Sequence, residues 1–251
     1  MKFNICISIP IRMDNITENQ RNIERALKSD ADIFELQFDY IDNIQTITND
    51  FLKKLLKFIK PNFPVIFSLR ESLEVGKIKI NEKERLKIIK VLIETQPEYF
   101  EIEMNAANHV LSEVAFLGET KDVNLIFSHY DFEKTPSLNE SFVFLEKFIY
   151  KLEDKLFIDA KTINKSIYKV IFTAQKFEDN LIPLQLLNKF SRLGRRMVSF
   201  CSNELGLFSR ITCVKVGSFF TNVLLEDESK VGQINIGTMR KIHNLLFNEK
   251  D

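Results

Sequence analysis

Short apolar runs alternate with longer stretches of helical periodicity along the whole chain. β-Branched and aromatic residues gather in runs that predict strands over Phe3 to Ile9, Asp32 to Ile41, Pro64 to Arg70, Tyr99 to Met104, Asn124 to Phe132, Ser166 to Ala174, Met197 to Cys201 and Ser218 to Leu225. Apolar residues three and four apart predict helices in the gaps: Glu18 to Lys28, Asn49 to Ile59, Lys83 to Glu94, Ala106 to Phe116, Ser141 to Leu152, Phe177 to Phe190, Leu207 to Val214 and Gly237 to Phe247. Strand and helix in regular alternation argue for a parallel sheet in an α/β fold. No linker rich in Pro, Gly or Ser interrupts the series, so the expectation is a single (β/α)8 TIM barrel, one domain over residues 1–251. Asp154 to Asn164 is surplus to that scheme and the pattern does not place it.

Within the strands, polar residues fall two apart and therefore on one face. Glu35, Gln37 and Asp39 share a face, with Phe34, Leu36 and Phe38 on the other; Ser68 with Arg70, and Glu101 with Glu103, repeat the arrangement. Parallel strands are usually apolar on both faces. A polar row near several strand ends fits the C-terminal mouth of a barrel, where active sites sit. The competing reading is an antiparallel sheet with one wet face.

The sixth run, Lys165-Ser166-Ile167-Tyr168-Lys169-Val170-Ile171-Phe172-Thr173-Ala174, sets Lys169 among apolar neighbours. Burial disfavours an ammonium, so a lysine there is expected to lose its proton and become a nucleophile able to condense with a carbonyl. An edge-strand lysine that snorkels to water is the alternative.

Composition narrows the partners. In 251 residues Lys+Arg and Asp+Glu are both 35, so no global basic field draws nucleic acid or a membrane surface. A small anionic substrate would be held by a few placed cations. Cys6, Cys201 and Cys213 are odd in number and lack metal-ligand spacing, which fits reduced thiols in a cytoplasmic protein. Three histidines argue against a histidine-rich metal site, and His109 and His243, on helical patterns, are expected at the surface. The N-terminal run is broken at Pro10 and lacks a signal peptide's long apolar core, and no stretch is long enough to span a bilayer.

Taken in order, several segments resemble the type I 3-dehydroquinate dehydratases, Schiff-base (β/α)8 enzymes of the shikimate pathway. They are Ala31-Asp32-Ile33-Phe34-Glu35-Leu36, Pro64 to Arg70, Phe100-Glu101-Ile102-Glu103, Asp131-Phe132-Glu133-Lys134-Thr135-Pro136, Tyr168-Lys169-Val170, Gly206-Leu207-Phe208-Ser209-Arg210 and Gly232-Gln233. The resemblance implies that Lys169 forms the imine with the substrate ketone and that Arg210 binds its carboxylate. It puts Ser229 and Gln233 in a loop closing over the site, and Glu35 and Arg70 against substrate hydroxyls. Glu74 matches the glutamate that supports the catalytic histidine, and Ser8 a contact at the end of the first strand. Taken alone, Arg210 also fits a helix-face salt bridge and Glu74 a solvated loop charge.

Several positions depart from that family. Gln37 stands where an arginine is usual, Phe200 and Ser202 replace a pair that is often methionine, Val75 replaces a glycine, and Lys230-Val231 replaces Ala-Pro. The largest departure is at the acid/base. The order Phe127-Ser128-His129-Tyr130-Asp131-Phe132 gives Tyr130 the slot of the catalytic histidine and moves His129 one residue earlier. That offset should turn His129 away from the barrel interior, unless a bulge restores it. Tyr130 is a poorer base than histidine but a usable proton donor, and nearby Arg70 and Lys169 are expected to lower its pKa.

The family chemistry converts 3-dehydroquinate to 3-dehydroshikimate, on the way to chorismate, without metal or cofactor and commonly in a homodimer. The expected partners are thus one small anionic substrate and a second copy, with no nucleic acid and no membrane. Chain limits just outside the first strand and last helix suit a free-standing enzyme. The alternative, set by Tyr130, is an impaired or redirected relative that binds another hydroxylated keto acid or a partner.

Overall fold

The computed structural model describes residues 4–12, 16–41, 46–59, 62–71, 80–225, 232 and 234–247. Eight parallel strands, β1 (Ile5–Pro10), β2 (Ile33–Gln37), β3 (Val65–Ser68), β4 (Tyr99–Glu103), β5 (Asn124–Tyr130), β6 (Ile167–Thr173), β7 (Arg196–Ser202) and β8 (Thr221–Val223), follow one another in the order β7-β6-β5-β4-β3-β2-β1-β8. The expected Ser218 to Leu225 strand is shorter than its apolar pattern. Its first residues close the barrel differently: Ser218 bridges Met197, and Phe219 N–H donates to the Met197 carbonyl at 2.8 Å. The fold is a nearly closed (β/α)8 barrel, and its parallel ladders exclude the antiparallel reading.

The helices are α1 (Ile16–Leu27), α2 (Asn49–Ile59), α3 (Glu82–Glu94), α4 (Asn108–Lys121), α5 (Leu138–Tyr150), α6 (Ala160–Lys165), α7 (Leu181–Arg192), α8 (Leu207–Val216) and α9 (Ile236–Phe247). No helix among the described residues is long and apolar enough to cross a membrane. Local chemistry fixes several starts. Ser137 and Glu140 form a reciprocal capping box on α5, and Asn81 accepts from Glu84 N–H at the head of α3.

Register alternates the two faces of every strand. The outward row Ile9, Leu36, Phe67, Phe100 and Leu125 is buried under the helices. Edge-to-face pairs such as Phe38 with Phe67 and Phe127 with Phe148 pack that layer. The inward row at the C-terminal ends is polar, so period-two patterning delivers a dry shell outside and a charged mouth inside.

The surplus segment 154–164 lies at the opposite end. α5 runs into a wider turn over Lys151–Lys155, and α6, capped by the Asp159 carboxylate at 2.7 Å, leads into the start of β6. Tyr168 Oη donates to the Ile163 carbonyl at 3.3 Å and Lys165 pairs with Asp122 at 3.6 Å, which ties this segment below the barrel, away from the mouth.

Candidate active site

Lys169 is the third residue of β6 and is fully enclosed, 2 % exposed. Its ammonium reaches across the barrel to Glu101 of β4, Nζ to Oε2 at 2.8 Å, and Glu101 is itself completely buried. Glu101 Oε1 accepts from Tyr130 Oη at 3.0 Å. The Tyr130 ring lies under the same ammonium, 5.5 Å from its centroid, with the Phe220 ring at 5.9 Å. A lysine, a carboxylate and a phenol from three strands thus share one contact.

The protonation of this cluster differs from what the sequence suggested. Burial opposes charge on Lys169, but Glu101 with help from Glu35 outweighs it, and the lysine pKa lies well above its ordinary value. The resting group is an ammonium; it has not lost its proton. Tyr130 also moves against expectation. Burial and the Glu101 charge push its phenol above the usual range, and the opposing Lys169 and Arg70 charges are too weak to bring it down. At neutral pH it stays protonated.

A second cluster lines the wall from β1 to β3. Glu35 Oε2 accepts from Ser8 Oγ at 2.7 Å and Asn222 Nδ2 at 3.4 Å, while Oε1 accepts from Gln37 Nε2 at 3.1 Å and Ser68 Oγ at 3.0 Å. Burial alone would raise this carboxyl; Lys169, Arg70 and the donors from Ser8 and Gln37 hold it down at about 2. Arg70 is clamped to Asp39, Nη2 to Oδ2 at 2.9 Å and Nε to Oδ1 at 3.4 Å. Behind it, buried Arg85 of α3 donates to the Leu69 carbonyl at 2.8 Å and binds Glu103, whose other oxygen accepts Glu71 N–H at 2.5 Å. In this wall both Glu35 oxygens and the Arg70–Asp39 pair are engaged, and the buried Asn222 Oδ1 is left without a partner.

The wall formed by β7 and α8 is different. Gly206 lies so close to the end of β7 that an added Cβ would stand 2.2 Å from the Ser202 carbonyl oxygen, so α8 can start there only from glycine. Ser209 fastens the helix, accepting from Cys201 N–H at 2.9 Å and donating to the Gly206 carbonyl at 3.0 Å. Arg210 follows, 7 % exposed, with its guanidinium 4.4 Å over the Phe200 ring. Its Nη1 donates to the Asn222 carbonyl at 3.3 Å and its buried Nε has no partner. No carboxylate of the described residues pairs with it, and burial pulls its pKa down to about 10. Among the described residues the salt-bridge alternative for Arg210 therefore finds no partner. Such a buried cation is a receptor for an anion.

Other candidates are not brought here. His129 pairs in register with Val170, on the face away from Lys169, and its ring lies 4.5 Å from Phe144 of α5. No bulge turns it back. His109 is exposed and meets Glu82 at 3.2 Å. His243, expected at the surface, is completely buried, with Nε2 2.9 Å from the Ile211 carbonyl oxygen, because α9 turns that face onto α8. Ser202 Oγ donates to the Phe172 carbonyl at 2.9 Å. Glu74, Val75, Ser229, Lys230, Val231 and Gln233 lie outside the described residues. Gly232 does not: at φ +76° it sits where a Cβ would fall 2.2 Å from the Asn203 carbonyl carbon, which stations it at the end of β7.

Sequence reasoning gave no role to Asn222 or Arg85, and it placed Glu101 and Asp39 only in the polar rows. The period-two row on β4 was the available signal for Glu101. Nothing local marks Asn222.

Residues 5–250 match the type I 3-dehydroquinase family. The chain is 29% identical over 244 residues to the 3-dehydroquinate dehydratase of Methanobrevibacter smithii, covering 96% of both chains. It is 28% identical to that of Streptococcus mutans, covering 96% of this chain and 98% of the relative. Its fold superposes on the type I 3-dehydroquinate dehydratase of Clostridium difficile with a TM-score of 0.81 at 23% identity, over 97% of this chain and 92% of that one. With the family matched along nearly its full length and a barrel of the same architecture, the chain belongs to the type I 3-dehydroquinase family.

Proposed function

We propose that this hydro-lyase converts 3-dehydroquinate to 3-dehydroshikimate through an imine on Lys169, as a step of aromatic amino-acid biosynthesis. The observation that carries this reading is the presence, in one barrel mouth, of a buried lysine and a buried arginine that has no carboxylate partner among the described residues. The substrate's carboxylate is the missing partner of Arg210, and its ketone is the group that Lys169 attacks. Ser8, Glu35, Gln37 and Arg70 offer donors and acceptors to its hydroxyls. Gln37 serves that wall differently from an arginine: it adds no charge and spends an N–H on Glu35. Ser229 and Gln233, which precede α9 in the sequence, and Glu74, which follows β3, complete the set in this reading.

The chemistry follows from the imine. Its cationic nitrogen withdraws electrons, so a base can take the proton on the adjacent carbon, and the tertiary hydroxyl, given a proton by an acid, leaves as water; hydrolysis of the imine then frees the product and Lys169. Departing hydroxide needs a proton donor. Tyr130, a phenol held protonated on the same strand face as Ser128 and Lys169, fits that role, and His129 faces helix α5. The reading includes one domain over residues 1–251 acting as a cytoplasmic homodimer, as the family resemblance suggests.

The test is direct. Purified protein mixed with 3-dehydroquinate should develop the ultraviolet absorbance of a conjugated enone at about one turnover per second or faster. Borohydride added during turnover should leave a reduced adduct on Lys169. Folded protein that gives neither signal would overturn the proposal in favour of a redirected barrel.

A further inference from the structure

An ammonium cannot attack a ketone, so the resting charge on Lys169 requires a proton acceptor within reach of Nζ. Among the described residues the hydrogen-bond partner of Nζ is Glu101 Oε2, at 2.8 Å. The imidazole nearest in sequence, His129, is on the other side of the strand against Phe144. The other Glu101 oxygen holds Tyr130 Oη at 3.0 Å, so one buried carboxylate joins the nucleophile to the phenol.

We propose that Glu101 is a catalytic residue, the proton carrier of imine formation, in a Lys169–Glu101–Tyr130 relay. This rests on the reading that Lys169 condenses with a ketone. The carboxylate takes a proton from the ammonium, breaking N–H and forming O–H. The freed nitrogen pair bonds to the ketone carbon, the carbonyl π pair moves to oxygen, and that oxygen takes the proton back from Glu101. The carbinolamine nitrogen then gives a second proton to Glu101. This proton passes to the hydroxyl, and the C–O bond breaks as water leaves and the nitrogen pair closes the iminium. Both hydrogens of that water come from the Lys169 ammonium, its oxygen from the ketone, and Glu101 ends as it began. Tyr130, donating to the second oxygen, keeps the carboxylate aimed at Nζ.

The experiment measures imine formation alone, by trapping with cyanoborohydride and mass spectrometry of the peptide that holds Lys169. Acetone and 3-dehydroquinate serve as separate probes. In Glu101→Ala, trapping at neutral pH should fall about a hundredfold or more, the usual scale for loss of a placed proton carrier. Formate or acetate should restore it, and chloride at equal ionic strength should not. Trapping as fast as or faster than in the native protein would overturn the proposal, because Glu101 would then only hold the lysine charged; equal effects of formate and chloride would do the same. Should Glu101→Ala fail to fold, Glu101→Gln keeps the shape and decides: the same loss supports the relay, and a native rate rejects it. Native protein that traps acetone but does not turn over 3-dehydroquinate removes the dehydratase reading and leaves the relay standing. Reaction of Lys169 with neither ketone overturns both.

Discussion

Two arginines face the same barrel mouth and are held in opposite ways. Arg70 is locked into Asp39 by two hydrogen bonds, in a wall where Glu35 already has four donors. Arg210 lies over the face of Phe200 with an unpartnered Nε and no carboxylate of the described residues beside it. Both are nearly inaccessible to water, so the contrast comes from pairing and not from exposure. A buried charge that is paired belongs to the scaffold, and one that is unpaired is costly until a ligand supplies the counter-charge. The β1–β3 wall is therefore a template formed before substrate arrives, and the β7–α8 wall is finished by it.

The sharpest way to break this contrast is to remove each guanidinium in turn. Arg70→Met leaves the Asp39 carboxylate buried and alone, which should lower unfolding free energy by about 3–5 kcal/mol. Arg210→Met removes a cation with no carboxylate partner among the described residues and keeps the apolar stem, so stability should change by less than ~1 kcal/mol or rise. Activity should respond differently. Without Arg210, kcat/KM for 3-dehydroquinate should fall about 100- to 1000-fold, chiefly through KM, since a charged pair with the substrate is lost. Urea unfolding and steady-state kinetics on the two variants decide it. Arg210→Met unfolding more readily than Arg70→Met would end the distinction between the walls.

A smaller effect tests the finished wall by acid. Glu35 in the folded protein titrates at about 2 against an ordinary 4.5. On acidification the unfolded chain takes up that proton first, so the carboxylate's stabilisation is complete above about pH 5 and is lost as pH falls from about 4.5 towards 2. The shift corresponds to roughly 3 kcal/mol. In Glu35→Gln this part of the acid dependence should disappear, and the stability gap between native and variant protein should close by that amount between pH 6 and pH 2. An unchanged gap would mean that Lys169, Arg70 and the donors from Ser8 and Gln37 do not favour the charged form.

The polar mouth could be read ahead of the structure because it depends on local periodicity. Glu35 and Gln37 had to share a face whatever the register, and so did Glu101 and Glu103, whereas Asp39, expected in the same strand row, lies past β2 in a 3-10 turn over Phe38–Tyr40. The eight strand positions followed from the same property. What could not be read depends on contacts distant in sequence. Lys169 looked like a lysine forced neutral by apolar neighbours, because its partner Glu101 stands 68 residues earlier and three-dimensional closure alone brings them together. The Tyr130 pKa was misjudged for the same reason: Arg70 and Lys169 were visible as motifs, while the carboxylate touching the phenol was not. His243 was taken for a surface residue because α9 shows little in its sequence of which face meets α8. That Arg210 has no carboxylate partner among the described residues depends on neighbours from β7, β8 and α8 that no local pattern identifies.

The smallest expected effect concerns His129, and it separates geometry from family habit. In the related enzymes the histidine belongs to the slot that Tyr130 fills here, so a functional histidine one residue away is the natural suspicion. The strand pleat argues against it. His129 is in register with Val170, its ring lies against Phe144, and burial lowers its pKa, so it is a neutral packing group on the helix side of β5. His129→Phe keeps a ring of similar size in that contact and should change kcat and KM less than about twofold and stability by less than ~1 kcal/mol. Tyr130→Phe, one residue along, keeps the ring but deletes the only proton it could give. Its kcat should fall about a hundredfold or more, with KM little changed. If the His129 variant loses activity and the Tyr130 variant keeps it, β5 must shift by one residue when substrate binds, because no side-chain rotation carries His129 through the barrel wall.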